Sequence, residues 1–218
     1  MRIVVFGDIH GNKYPLEYLL KNEKADIFVC LGDIVGYGPY NNECLDLVLK
    51  KDNISIVRGN HEDMFIKGQV DNNCSQLAKD FFQKSYSFFN KSYVEELNKI
   101  PSMIQLDNTT FCHTLLNKHI YEDTILDPLL KGNFFIGHSH TQFLRTNPSG
   151  FICNPGSLGQ NRNPLKKQIA EYAIYNTEDS SIEFKNFDNK LIDFIEVLRT
   201  HNYSSDLIEY YKNKDKQS

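Results

Sequence analysis

The chain has 218 residues, 40% of them hydrophobic and 24% charged, which is the balance of one globular domain of ordinary size. Its formal net charge of −4 argues against an extended nucleic-acid surface or a broad contact with an anionic membrane. No apolar run approaches the roughly 18 residues that a membrane span needs, and the apolar stretch before Gly7 is too short for a signal peptide. We therefore expect a single cytoplasmic domain over residues 1–218.

Strands and helices alternate in the first part of the chain. The sequence predicts strands at 2–6, 26–31 and 54–57, and helices at 14–22 and 42–51, where apolar residues recur at helical spacing. Helical crossovers of this length join parallel strands. The pattern therefore predicts a mostly parallel sheet.

The next segment, residues 62–100, is rich in aromatic residues and is predicted to form a helical cap that Pro101 ends. Short strands are expected after it, at 103–106, 109–113, 133–137, 141–146, 151–154, 168–176 and 181–187. Residues 124–132 are a candidate short helix that contains Pro128. An amphipathic pattern at 189–201 begins the C-terminal helices, which we expect to reach about residue 212.

The five cysteines are odd in number, widely spaced and without a Cys-x-x-Cys motif. This pattern predicts reduced thiols in a cytoplasm rather than a disulfide framework. Cys112 adjoins His113, which raises the alternative of a thiol nucleophile, but no other feature of the sequence points to thiol chemistry.

Glycine and polar residues follow each of the first three predicted strands, in GDIHG at 7–11, GDIVGYG at 32–38 and RGNHE at 58–62. In a parallel sheet these loops share the carboxyl edge, where ligands bind in such folds. Two later strands end in CHT at 112–114 and GHSH at 137–140. The strand ends therefore gather aspartate, asparagine and histidine.

Seven of these side chains offer oxygen or imidazole ligands: Asp8, His10, Asp33, Asn60, His113, His138 and His140. A pair of divalent ions about 3.5–4 Å apart needs several such ligands and one carboxylate that bridges both ions. Nitrogen and oxygen ligation without thiolate suits manganese, iron, zinc or nickel better than calcium or magnesium. Each motif alone is weak, but their joint occurrence after strands predicts a dinuclear metal site.

The order of these motifs resembles the calcineurin-like metallophosphoesterase superfamily, whose pattern is Asp-x-His, Gly-Asp, Gly-Asn-His, His and Gly-His-x-His. All five parts occur between residues 7 and 140. NPGSLG at 154–159 resembles the compact bacterial and archaeal phosphodiesterase branch, and DIVGYGPYNNEC and VRGNHE resemble diadenosine tetraphosphate hydrolases and serine/threonine protein phosphatases. The resemblance implies a metallo-dependent phosphatase-like α/β fold, a four-layer α/β/β/α sandwich of two mixed sheets flanked by helices.

The resemblance also implies two sets of metal ligands with one residue shared. The first ion would be held by Asp8, His10 and His140, the second by Asn60, His113 and His138, and Asp33 would bridge them. A hydroxide bridging the ions would attack phosphorus in line, and the ions would absorb charge on the phosphoryl oxygens. Asn60 belongs to the catalytic Gly-Asn-His motif as well.

Two further catalytic residues follow from the resemblance. His61 would donate a proton to the leaving oxygen or stabilise its charge. Arg58 would bind phosphate through its planar fork. The chain departs from the protein phosphatases at Gly36 and Tyr37, which occupy the positions of an aspartate that orients the catalytic histidine and an arginine that binds phosphate. The partner that orients His61 is therefore open.

Other residues near the motifs carry weaker signals. Thr114 stands where the family usually has glycine, and threonine tolerates positive φ poorly, so His113 is expected to be presented differently. His119 and His201 lie outside every motif and are expected on the surface. Asn154 and Ser157 either shape the site or form a simple turn.

These features predict a dinuclear metal-dependent hydrolase of phosphomono- or phosphodiesters. The alternatives within the superfamily are a symmetrical dinucleoside polyphosphate hydrolase and a protein phosphatase, and the alternative of another class is a metal-binding scaffold without catalysis. The presence of His61 and the full ligand set favours catalysis over a scaffold. We expect two transition-metal ions, manganese first, a small phosphorylated substrate with a nucleotide among the candidates, and homo-oligomer contacts through 189–201 as a further hypothesis.

Overall fold

The computed structural model describes residues 1–70, 74–116, 118–162 and 168–215, with the side chains of 213–215 excepted. In chain order the elements are β1 (Arg2–Phe6), α1 (Lys13–Asn22), β2 (Ile27–Cys30), α2 (Asn41–Leu49), β3 (Ile54–Ile56), α3 (Asn60–Lys67), α4 (Gln76–Tyr86), α5 (Val94–Lys99), β4 (Met103–Leu106), β5 (Thr109–Cys112), β6 (Asn133–Ile136), β7 (Gln142–Asn147), β8 (Gly150–Pro155), β9 (Ile169–Asn176), β10 (Ser181–Asp188), α6 (Leu191–Thr200) and α7 (Ser205–Asp215). A short 3₁₀ turn, Lys91–Tyr93, precedes α5.

The strands form two mixed five-stranded sheets. The first has the order β10-β9-β1-β2-β3, with β1, β2 and β3 parallel and the β9–β10 hairpin antiparallel at one edge. The second has the order β4-β5-β6-β8-β7, with β5, β6 and β8 parallel. The two mixed sheets with their flanking helices confirm the predicted fold class.

Alternating side chains of β1 enter two different cores, which is why residues 3–6 are all apolar. Val5 joins Val29 of β2 against Phe111 and Phe135 of the second sheet, so this core lies between the sheets. Phe6 faces the other way, into a core that α1 and α2 close. The apolar faces of the two helices therefore hold the first sheet, and the second sheet covers its opposite side.

Helices α4, α6 and α7 share a third core that lies beside the site described below. Phe81 of α4 packs with Phe194 of α6 and with Tyr211 of α7, and all three side chains are almost fully buried. The predicted cap at 62–100 is thus broken into α3, α4 and α5, with residues 71–73 outside the described ranges. The C-terminal helices begin at Leu191 because Lys190 adopts a left-handed φ of 58°.

The predicted helix at 124–132 is wrong. This segment forms turns, because Pro128 has no amide hydrogen to donate to a preceding helical turn and its ring clashes with that turn. Leu126 and Leu130 instead pack on Ile136 and Ile152, on the outer face of the second sheet. The segment therefore covers this face without regular structure.

All five cysteines are free, and Cys112 is buried. Burial raises the pKa of the Cys112 thiol to about 12, so little thiolate exists at neutral pH and the nucleophile alternative loses support.

Within the described ranges, no helix combines the length and the apolar character that crossing a bilayer requires.

Candidate metal centre

The loops after β1, β2, β3, β5 and β6 meet at one edge of the sandwich and bring all seven predicted ligands together. Their donor atoms form two groups, each within 4.8 Å. The groups are Asp8, His10, Asp33 and His140, and Asp33, His113 and His138. The Oδ1 atom of Asn60 lies 3.1 Å from His113 Nε2 and 2.9 Å from His138 Nδ1, so Asn60 belongs with the second group. Asp33 is common to both.

Five of these residues have a left-handed backbone: Asp8, His10, Asp33, His138 and His140 have φ between 51° and 71°. This conformation is uncommon for residues with a side chain, and such positions persist only where neighbouring structure holds them. Here the carbonyl of Asp33 accepts from the amides of Ile9 at 2.8 Å and of His10 at 3.0 Å. The concentration of left-handed residues at this edge indicates a functional site.

Two of the four imidazoles in the cluster are fixed by hydrogen bonds on the side away from it. His113 Nδ1–H donates to the carbonyl of Leu31 at 2.8 Å, and His140 Nδ1–H donates to the carbonyl of Gln160 at 2.7 Å. Because a carbonyl only accepts, the neutral rings present the Nε2 lone pair to the cluster. His140 Nε2 lies 3.1 Å from His10 Nε2. Two nitrogen lone pairs this close could both coordinate one cation.

The electrostatics of the cluster favour a bound cation. Burial opposes the ionisation of Asp8 and Asp33, but the nearby imidazoles outweigh it and hold both pKa values below the ordinary value. Burial would also lower the pKa of His113, yet Asp33 outweighs it and raises that pKa to about 10. Burial and the charge of His113 lower the pKa of His138 to about 3. The donor set fits divalent ions, which would take over the positive charge that the proton on His113 supplies.

Glu62 is a structural residue of the site that the sequence did not single out. Its Oε2 atom accepts from the amides of Asp33 and Gly59 at 2.8 Å, and its Oε1 atom from those of Ile34 at 2.7 Å and Val35 at 3.1 Å. Burial and the charge of Asp33 raise the Glu62 pKa to about 7, while these amides act in the opposite direction. Through these bonds the Glu62 carboxylate connects α3 to the loop that carries Asp33.

The segment 154–162 lies over the loop that follows β1. Ser157 Oγ donates to the carbonyl of Asp8 at 2.7 Å, and the amide of Gly159 donates to the same oxygen at 3.0 Å. A Cβ atom on Gly159 would lie 1.8 Å from the carbonyl oxygen of Ile9, which explains a glycine there. Asn154 Nδ2 donates to the carbonyl of Gly137 at 2.7 Å. Asn154 and Ser157 thus position the ligand loops rather than form only a turn.

His61 has no hydrogen-bonding partner for Nδ1 among the described residues. A Cβ atom on Gly36 would lie 2.7 Å from that nitrogen and 2.6 Å from His10 Nδ1, so the backbone passes too close for any side chain. The Tyr37 ring lies 5.1 Å from the His61 ring and 5.0 Å from the Phe81 ring. The His10 ring also lies beside the His61 ring, with centroids 4.6 Å apart, so His61 is packed between the rings of Tyr37 and His10.

Arg58 is not among the residues that line the cavity, and its phosphate-binding role stays a prediction. Its Nε atom pairs with Asp63 at 2.9 Å, and an Nη atom donates to the carbonyl of Asn98 at 3.4 Å. Asp63 is half-exposed and itself lines the cavity, so this ion pair links Arg58 to the cavity wall. Thr114 does not have a positive φ, and His113 Nε2 lies 3.2 Å from an Asp33 carboxylate oxygen, within the second group.

A cavity of about 700 Å³ opens over the cluster. One side of it is formed by Asp33, Asn60, His61, His138, His140 and Arg162, and the other by residues of α3 and α4. His119 is exposed as expected, but its ring stacks on His138 with centroids 3.6 Å apart, so it belongs to the rim of the site. No motif in the sequence pointed to His119 or to Arg162.

Comparison with known proteins agrees with this site. The family model for calcineurin-like phosphoesterases matches residues 1–166. The uncharacterised protein MJ0912 of Methanocaldococcus jannaschii is 30% identical, over 83% of this chain and 85% of its own. The Shewanella-like protein phosphatase 1 of Plasmodium berghei is 26% identical, over 60% of this chain and 43% of its own.

A solved structure shows the same fold. A metallophosphoesterase from Sphaerobacter thermophilus superposes with a TM-score of 0.78 at 24% identity, covering 98% of this chain and all of that one. The family match covers the five motifs and every ligand of the two groups. The chain therefore belongs to the calcineurin-like phosphoesterase family.

Proposed function

We propose that this chain is a dinuclear metal-dependent hydrolase of small phosphomonoesters or phosphodiesters. The observation that carries the proposal is the sharing of Asp33 by two groups of donor atoms. A single carboxylate common to both groups is what a pair of adjacent ions requires. Bound there, the ions would supply deprotonated water at neutral pH and positive charge for the phosphoryl oxygens.

The residues of the chain itself would orient and neutralise the reacting groups. Asn60 lies between His113 and His138, where its amide oxygen completes the second group of ligands. Burial lowers the pKa of His61, so the ring is expected to be neutral near pH 7. A neutral imidazole still carries one N–H, and His61 would use it to stabilise charge on the leaving oxygen.

The size of the cavity, about 700 Å³, favours a small phosphorylated substrate, and a nucleotide would fit that volume. The Plasmodium berghei relative is named a protein phosphatase, which keeps that activity as a second candidate. Gly36 and Tyr37 stand against it, because the protein phosphatases carry an aspartate and an arginine there. A symmetrical dinucleoside polyphosphate hydrolase is a third candidate. The proposal also includes manganese as the native ion, a cytoplasmic location and homo-oligomer contacts through α6.

A substrate panel with the manganese-loaded protein tests the proposal. The panel contains an aryl phosphomonoester, an aryl phosphodiester, a cyclic nucleotide, diadenosine tetraphosphate and a phosphopeptide. We expect turnover of at least one small ester, its loss after chelation, and its recovery when Mn²⁺ is returned. A protein that binds manganese but turns over none of these substrates would be the scaffold.

The His61→Ala variant separates catalysis from metal binding. We expect it to retain the manganese content of the wild type and to lose about 10²-fold or more in kcat, because removing one hydrogen-bond donor to charge that develops in the transition state costs a factor of that size. Elemental analysis and steady-state kinetics on the same preparation measure both quantities. Wild-type turnover in this variant would remove His61 from the mechanism.

A further inference from the structure

Arg162 is the arginine that the fold brings to the cavity. Its backbone amide donates to the carbonyl of His140 at 3.2 Å. Two residues earlier, the carbonyl of Gln160 accepts from the His140 imidazole at 2.7 Å. The main chain at Arg162 is therefore fixed relative to a predicted metal ligand.

The guanidinium of Arg162 is held on one side. It donates a hydrogen bond to the hydroxyl oxygen of Tyr210 in α7, and Nη2 donates to Gln160 Oε1 at 3.4 Å. Arg162 forms no ion pair with a carboxylate of the described residues, whereas Arg58 is paired with Asp63. Since a guanidinium has five N–H donors, several remain for a ligand in the cavity.

The charge of Arg162 reaches the reaction site. Arg162 lines the same cavity as His61 and the proposed ligands Asn60, His138 and His140. An anion placed between the ligands and the cavity would therefore feel this guanidinium.

We propose that Arg162 binds a non-bridging oxygen of the substrate phosphoryl group, and that Tyr210 is the positioning residue that aims its guanidinium. This inference rests on the proposed function. A planar guanidinium matches phosphate with two parallel hydrogen bonds, which an ammonium group does not reproduce. Tyr37 stands at one of the arginine positions of the protein phosphatases, and Arg162 takes over the task of that arginine. It also gives the C-terminal helix α7 a function at the site.

The test compares manganese-loaded wild type with Arg162→Met, Arg162→Lys and a control, Arg199→Met, in which an exposed arginine paired with Glu196 is removed. Inorganic phosphate is the binding probe, measured by calorimetry, and the best substrate of the panel gives kcat/KM. We expect Arg162→Met to weaken phosphate binding at least tenfold and to lower kcat/KM about 10²-fold. Arg162→Lys should recover part of both, and Arg199→Met should stay within twofold of the wild type.

Tyr210→Phe tests the positioning role. It should weaken phosphate binding severalfold in the wild-type background and have no further effect in the Arg162→Met background, because the hydroxyl acts through the guanidinium. A purely structural tyrosine would weaken binding equally in both backgrounds, which would overturn the role given to Tyr210. Urea unfolding midpoints establish that all variants are folded.

Failure of the proposed function and failure of the role given to Arg162 would produce different results. If the wild type turns over no ester, the proposed function fails, and the phosphate titration still decides whether Arg162 is an anion ligand. If the wild type is active while Arg162→Met binds phosphate and turns over substrate as Arg199→Met does, the role of Arg162 is refuted and the proposed function stands.

Discussion

Replacement of Asp33 by asparagine is expected to lower kcat/KM by on the order of 10³-fold, about 4 kcal/mol of transition-state stabilisation. The reason is that Asp33 is the one residue common to both groups of donor atoms. The amide keeps the size of the carboxylate and one acceptor oxygen for the His61 amide, which now bonds Oδ1 at 2.9 Å, so the loop should stay in place. What the substitution removes is the negative charge and the second anionic oxygen.

Steady-state kinetics and metal analysis on the Asp33→Asn variant check this expectation. The matched control is Asp193→Asn, an exposed position in the first turn of α6, which should keep wild-type kinetics. We expect the Asp33→Asn protein to unfold near the wild-type urea concentration and to retain fewer manganese ions per chain. A variant with wild-type metal content and more than a tenth of the activity would contradict the shared role of Asp33.

The Glu62→Gln substitution is expected to lower the free energy of unfolding by about 3 kcal/mol, since two charge-assisted hydrogen bonds are lost and two buried amides are left facing an NH₂ group. Each carboxylate oxygen of Glu62 accepts from two backbone amides, so neither orientation of the glutamine side chain avoids this conflict. Activity should fall too, because the loop that carries Asp33 is no longer held.

Urea denaturation measures the effect of Glu62→Gln against Glu183→Gln, which alters an exposed carboxylate paired with Lys185 in β10. The control should change the free energy of unfolding by less than about 1 kcal/mol, as exposed ion pairs contribute little. Equal stability of the two variants would mean that Glu62 does not fasten the loop.

The clustering of the seven proposed ligands was predictable because its signals are local. Each motif sits directly after an apolar run that reads as a strand, and in a parallel arrangement such ends meet at one edge. His138 and His140 illustrate the limit of that reasoning. The pattern predicts that they face the site, but only the structure reveals the left-handed backbone that aims both rings.

The arginines were not predictable, because their positions depend on the path of distant segments. Arg58 lies next to the Gly-Asn-His motif, yet its guanidinium pairs with Asp63 of the following helix and does not line the cavity. Arg162 lies 22 residues after His140 in the sequence and reaches the cavity only because 154–162 folds back over the loop after β1. His119 likewise meets His138 through a segment without regular structure.

Two ions are expected to bind side by side at the carboxyl edges of the strands. Elemental analysis tests this on the protein after loading with manganese and removal of unbound ions by gel filtration. We expect two manganese ions per chain. Retention of one ion or none under saturating conditions would show that no ion pair forms there.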